Sequence, residues 1–312
     1  MVSTDLRVHN GKKRASAARF SRAWPLHLMM LPPVIMLLIF SYIPMAGIVI
    51  AFQDFIPTKG FFGSDWIGLE NFQYLFMLPN FGQIVLNTLT IAIEKIVTAI
   101  GFGLLFALLI SEIGNRAINK LSQSLILFPW FISWVILGNV FLDVLSLDGS
   151  VNAIINALGG ESVFFMGNNG WFRFILIFTN TWKDMGYNMV IFLTAIAGIN
   201  PMLYEAAKID GAGKLRQAIH VTMPSILPSV ILLVTLALGG VLNAGFDQIF
   251  VMYNSAVIDT SEIIDTYIYK LGFYDAQYAL STAAGLFKSV VGCVCLSLSY
   301  YLAHRWANYR IF

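Results

Sequence analysis

Residues 84–110 read IVLNTLTIAIEKIVTAIGFGLLFALLI, an apolar run broken by one adjacent acid and base, Glu94 and Lys95. An α-helix rises about 1.5 Å per residue and a bilayer core is about 30 Å thick, so roughly 20 apolar residues cross it. This run exceeds that length, and a helix satisfies its backbone polar groups internally, as lipid demands. Five further stretches pass the same test: 28–52, 122–142, 171–199, 226–250 and 279–303. The expected fold is all-α and integral to a membrane, with six transmembrane helices and both termini on one side. The first run is too long for a signal-peptide core and lacks a small-residue cleavage site, so it reads as a retained helix.

Composition agrees. Of 312 residues, 58% are hydrophobic and only 12% charged, about half the usual 25% charged share of a soluble chain. Net charge is +2, with no basic patch interleaved with aromatics, so no nucleic acid is expected as a partner. Abundant apolar and aromatic residues exclude disorder. Cys293 and Cys295 lie in an apolar run without a nearby His, which suggests buried small residues and no metal site. No HExxH or GxSxG occurs and the four histidines are scattered, so no catalytic residue is expected.

Lys and Arg fix the expected orientation. Arg7, Lys12, Lys13, Arg14, Arg19 and Arg22 precede the first helix. Arg116, Lys120, Lys208, Lys214, Arg216, Arg305 and Arg310 fall in loops or ends on that same side. The opposite loops carry Lys59 and Lys270, with Arg173 at a boundary, and most of the acids, among them Asp54, Asp65, Glu70, Asp148, Asp259 and Glu262. By the positive-inside rule the termini and the loop 200–224 are cytoplasmic. The chain then divides into a basic cytoplasmic tail (1–27), a first helix (28–52), an extracytoplasmic loop (53–83), the transmembrane domain proper (84–303) and a cytoplasmic C-terminus (304–312). Rows of small residues, Ala99, Gly103 and Ala107 in the second helix and Ser281, Gly285, Ser289 and Cys293 in the sixth, mark expected close helix contacts.

The long cytoplasmic connection reads NPMLYEAAKIDGAGKLRQAIHVTMP over 200–224. Asn200 is a good N-cap with Pro201 in the first helical position, and Asp210-Gly211 supplies a stop. Two short helices around a turn are expected, with Met202, Ala206 and Ile209 on one face of the first and Leu215, Ile219 and Met223 on one face of the second. A rigid helical knuckle of this kind can transmit force. A purely interfacial hairpin covering the bundle is the plainer reading.

Glu205-Ala206-Ala207, three residues, Gly211, nine residues and Val221-Thr222-Met223-Pro224 resemble the EAA loop of type I binding-protein-dependent ABC importer permeases, whose pattern is EAA-x3-G-x9-I-x-L-P. Asp210-Gly211-Ala212 and Pro228 also match that family's extended form. Val221 and Met223 replace Ile and Leu, and Ala218 stands where the sugar-uptake branch usually has an aromatic. The resemblance covers most of the chain. Pro44-Met45-Ala46-Gly47, Phe131-Ile132-Ser133-Trp134 and Leu145-Ser146-Leu147-Asp148-Gly149 are similar to complex-carbohydrate permeases associated with polygalacturonan or rhamnogalacturonan oligosaccharides.

What the resemblance implies is one permease half, paired with a second homologous permease subunit and two cytoplasmic ATPase subunits, with an extracytoplasmic solute-binding protein delivering the cargo. Glu205, Ala206, Ala207, Asp210, Gly211 and Ala212 would form the coupling site for the ATPase. The chain has no GxxxxGK[ST] loop, so ATP and Mg are expected on the partner chains, with no cofactor on this one.

Glu94, Lys95, Lys183, Asp184, Asp247 and Lys288 fall within the expected spans, where a lone charge costs about 2.5 to 3.5 kcal/mol at mid-depth. They should face the bundle interior or a wet cavity. Sugars need hydrogen-bonding groups and aromatic faces, so Trp134, Trp182, Tyr187, Asn188, Asn243 and Asp247 are candidates for an oligosaccharide path. Asn243 and Asp247 are expected one turn apart in the fifth span. An ion-coupled secondary carrier using Glu94, Asp184 and Asp247, without ATPase partners, is the alternative.

Overall fold

The computed structural model describes residues 24–307; the basic residues from Arg7 to Arg22 and Arg310 lie outside them. Among the described residues, four helices are each long and apolar enough to cross a membrane. These are α1 (Trp24–Phe52), α3 (Phe81–Ser111), α9 (Lys214–Gly239) and α12 (Tyr278–Ala307). Two bent pairs raise the number to as many as six: α4 (Arg116–Phe131) with α5 (Trp134–Val144), and α7 (Asn169–Ala197) with α8 (Pro201–Ile209). Shorter helices are α2 (Glu70–Met77), α6 (Ser150–Ala157), α10 (Phe246–Met252) and α11 (Ile264–Tyr269). A two-residue antiparallel pair, β1 (Gln53–Asp54) with β2 (Asp65–Trp66), closes the connection after α1.

α3 and α7 pack along their length and form the spine. Ile84, Ile91 and Ala92 of α3 meet Phe172, Ile175 and Leu176 of α7 in one buried cluster, completed by Leu242, Ile249, Met252 and Ile264. Toward the other end of the spine, Ala107 and Ile110 join Met189 and Phe192, covered by Leu233 and Val234 of α9. The small-residue row on α3 is buried, and a Cβ at Gly103 would lie 2.6 Å from that of Asn188. Only small residues permit this approach. The row on α12 behaves differently. Ser289 and Cys293 are exposed beside a groove against the end of α9, so the expectation that Cys293 is buried is corrected.

Two spans differ from a plain reading of apolar runs. The third, expected as one helix over 122–142, turns by 95° between α4 and α5. Pro129 has no N–H to donate, Ile132 is extended, and Ser133 starts α5 afresh by accepting a bond from Ile136 N. The fifth, expected over 226–250, stops at Gly239-Gly240 and resumes as α10 after Gly245, whose φ of +94° suits glycine. Asn243 and Asp247 therefore do not share one helix. At its other end α9 begins at Lys214 and runs through Pro224, so the second short helix expected in the 200–224 loop is continuous with the fifth span. A widened turn over Ala218–Thr222 precedes Pro224, which cannot donate a backbone bond.

Two of the charges in the expected spans, Glu94 and Lys288, are ion-paired across helices. Arg173 donates to both carboxylate oxygens of Glu94, at 2.9 and 2.7 Å. Lys288 reaches Asp265 at 2.5 Å, and outside the expected spans Lys270 reaches Glu262 at 2.6 Å. Arg173→Met alone strands Glu94 at mid-span, where a lone charge costs roughly 2.5 to 3.5 kcal/mol. The single variant should melt lower in detergent than the Glu94→Leu/Arg173→Met pair, and the reverse order would show that Glu94 without Arg173 carries no penalty there.

Candidate functional site

Both breaks open on one cavity of about 620 Å³. Its walls come from α3 (Lys95, Ile96, Ala99), the α4–α5 break (Trp130, Trp134), α7 (Asn180, Lys183, Asp184, Tyr187, Asn188) and the end of α9 with the turn after it (Leu236, Gly240, Asn243, Gly245). Trp130 stacks on Tyr187 with ring centroids 4.5 Å apart and planes at 14°. Lys183 Nζ lies 5.6 Å from the Trp130 ring centroid and 5.8 Å from that of Trp134. Asn180 donates to Asp184 at 2.9 Å, so the acid stands hydrogen-bonded within its own helix. The lining combines flat aromatic faces with amide donors and acceptors, a surface suited to a polar ligand with apolar faces.

Of the residues expected on a sugar path, Trp134, Tyr187, Asn188 and Asn243 line this cavity. Trp182 does not. It lines a separate apolar hollow with Phe102, Phe106, Phe174 and Phe178, and its ring meets Phe141 edge-on at 5.9 Å. Asp247 is exposed in the first turn of α10, outside the cavity lining. Sequence reasoning had no place on the path for Trp130 or Asn180. The signal was available: Trp130 follows Pro129 directly, and Asn180 lies one turn before Asp184 on α7.

The knuckle is α8, the turn at Asp210–Gly213 and the first turns of α9. Asn200 caps α8 by accepting from Met202 N at 3.0 Å. Gly211 ends it with φ +75° and donates to Lys208 O at 3.0 Å, while Ala212 N donates to Ala207 O at 2.8 Å. Buried Gln217 closes the turn by donating to Ala212 O at 2.7 Å. The Tyr204 and Thr222 hydroxyls are 2.9 Å apart, tying α8 to α9, and Lys214 pairs with Glu112 at the end of α3. Glu205, Ala206, Asp210 and Gly211 are exposed; Ala207 and Ala212 are half-buried. Met202, Leu203, Ile209, Leu215 and Ile219 also stand exposed. The result is a braced turn whose exposed surface is apolar with both acids (Glu205, Asp210) and bases (Lys208, Lys214, Arg216).

A bundle of up to six spans, with broken helices around an aromatic, amide-lined cavity, defines a polytopic membrane permease. The chain belongs to the family of binding-protein-dependent transport system inner membrane components, which it matches over residues 99–308. It is 40% identical to the polygalacturonan/rhamnogalacturonan transport system permease protein YteP of Bacillus subtilis (strain 168), over 92% of this chain and 90% of that protein. Protein LplB of the same organism is 36% identical, with 97% and 95% covered. Among solved structures, a permease chain of a bacterial ABC transporter involved in the import of the acidic polysaccharide alginate superposes with a TM-score of 0.86. That chain is 34% identical, with 94% of this chain and 99% of the other covered. A second alginate transporter structure, in complex with an alginate pentasaccharide-bound periplasmic protein, superposes with a TM-score of 0.85 at 35% identity.

Proposed function

We propose that this chain is one of two permease halves of an ATP-driven importer for complex acidic oligosaccharides, of the pectin-derived kind named for YteP. Both termini and the knuckle face the cytoplasm. A solute-binding protein delivers the sugar on the opposite side, and two ATPase subunits, which hold ATP and Mg, each grip one knuckle. Glu205, Ala206, Ala207, Asp210, Gly211 and Ala212 form the contact on this half. The observation that carries the reading is the cavity, in which a stacked Trp130–Tyr187 pair, Trp134 and the amides of Asn180, Asn188 and Asn243 converge. Pyranose faces pack on such rings and hydroxyls exchange hydrogen bonds with such amides. Alternating access then opens the cavity to one side at a time.

A secondary carrier needs a relay of acids. Glu94 is held by Arg173, Asp184 by Asn180, and exposed Asp247 stands outside the cavity, so these three do not form one. The test is purification of the full chain from native membranes. A second permease, an ATPase and ATP-dependent uptake of oligogalacturonide in proteoliposomes are expected. Uptake by the chain alone, driven by a pH gradient, would overturn the proposal.

A further inference from the structure

Where the third and fifth spans break, backbone carbonyls lose their helical partners beside the cavity. Such groups need partners. At the third-span break, Lys183 of α7 sends its ammonium to three of them: Ile132 O at 2.6 Å, Trp130 O at 2.8 Å and Pro129 O at 3.2 Å. An ammonium has three N–H groups, and all three are matched. At the fifth-span break, Lys95 of α3 reaches Ala244 O at 2.7 Å and Gln248 Oε1 at 2.5 Å. The Gln248 amide continues to Leu176 O at 2.9 Å and Thr179 Oγ1 at 2.8 Å on α7. Both lysines and Gln248 are buried. The site is tight, since a Cβ on Gly245 would lie 2.9 Å from Lys95 Nζ. Each unbroken spine helix thus supplies one lysine, and each lysine holds one break.

We propose that Lys95 and Lys183 are positioning residues that set the shape of the cavity by fastening the two breaks, and that neither serves as the ligand for a carboxylate on the cargo. The inference rests on the cavity being the transport path. A uronate could take Lys183 only by drawing it from three carbonyls that it already satisfies, which disfavours the exchange. Direct contacts to an acidic sugar are then left to neutral donors such as Asn188 and Asn243.

The test uses no sugar. In membranes carrying the full-length chain with its partners, and with Cys293→Ser and Cys295→Ser, Asn243→Cys reports on the fifth-span break and Phe131→Cys on the third through reaction with a small maleimide. Lys95→Met should change the reaction rate at Asn243→Cys by at least about tenfold, and Lys183→Met should do so at Phe131→Cys, each leaving the other reporter within about twofold, as loss of a charge-assisted bond network implies. Lys183→Arg, which keeps the charge and the donors, should restore the rate at Phe131→Cys. A ligand-only role predicts unchanged rates in all variants, and that result overturns the proposal. If a Met variant does not accumulate, Lys95→Gln and Lys183→Gln, which lose the charge but keep an amide donor, are read by the same rates, and unchanged rates there likewise overturn it. Failure of the transport reading would appear instead as absent uptake by the unsubstituted importer, with these rates unaffected.

Discussion

Gly211→Pro is expected to cut uptake by about a hundredfold while ATP hydrolysis by the proposed importer continues uncoupled. Gly211 sits at φ +75° and donates its N–H to Lys208 O at 3.0 Å. Proline fixes φ near −65° and has no N–H, so both features are lost together. The preceding residue, Asp210, lies at φ −74° and ψ 5°, away from the extended backbone that a following proline favours. With three conflicts in one turn, the cost is roughly 3 kcal/mol or more. The turn must rearrange, and α8 swings away from the position that Tyr204 and Gln217 brace. The fraction of knuckles able to dock falls accordingly, and at about 1.4 kcal/mol per decade uptake drops by about a hundredfold.

Graded controls separate shape from chemistry. Gly211→Ala retains the N–H and meets only the left-handed penalty of about 1–2 kcal/mol, so uptake should fall by roughly tenfold. Gly213→Ala, at φ −67° with open space around its Cβ position, should transport normally. Glu205→Ala leaves the turn intact and removes only the exposed carboxylate, so any loss there belongs to the partner contact. Counting sugar transported per ATP hydrolysed in proteoliposomes checks the series, and normal coupling in Gly211→Pro would remove the knuckle from the mechanism.

Gly186→Leu yields a chain that no longer folds stably. Gly186 on α7 faces the backbone of α4, and a Cβ there would lie 2.3 Å from Ile126 O and 2.7 Å from Leu127 Cα. Backbone cannot step aside as a side-chain tip does, so α4 must move. That motion pulls Pro129, Trp130 and Ile132 away from Lys183, one turn earlier on α7. Overpacking costs about 1–3 kcal/mol, and the loosened ammonium adds to it. Gly186→Ala should already lower the melting temperature in detergent. Gly101→Ala, with nothing within 4 Å of its Cβ position, should hold or raise it, because alanine is the better helix former by about 1 kcal/mol. Equal melting of the two Ala variants would mean that α4 does not lie against α7 as described.

Much of this protein was legible as sequence because lipid is a simple solvent. Length and apolarity alone located the helix regions, and Asn200, Pro201 and Gly211 marked the knuckle through local rules of capping and handedness. The breaks were harder. Pro129 with Ser133, and Gly239-Gly240 with Gly245, carry the chemistry of interruption, yet they lie in runs apolar enough to read as continuous helix. Trp182 shows a second limit. Its composition suits a sugar path, but helical phase turns it toward Phe141 and an apolar hollow, whereas Tyr187, five residues on, faces the cavity.

The amino-acid sequence by itself determined a membrane-embedded helical bundle, its number of apolar runs and the cap and turn that bound α8 in the knuckle, because each depends on residues close together in the chain. Only the tertiary structure decided that Lys95 meets Ala244, that Lys183 meets Pro129, Trp130 and Ile132, and that both breaks share one cavity. Those contacts join residues more than fifty positions apart, and their strength comes from burial of charge among carbonyls that no local pattern announces.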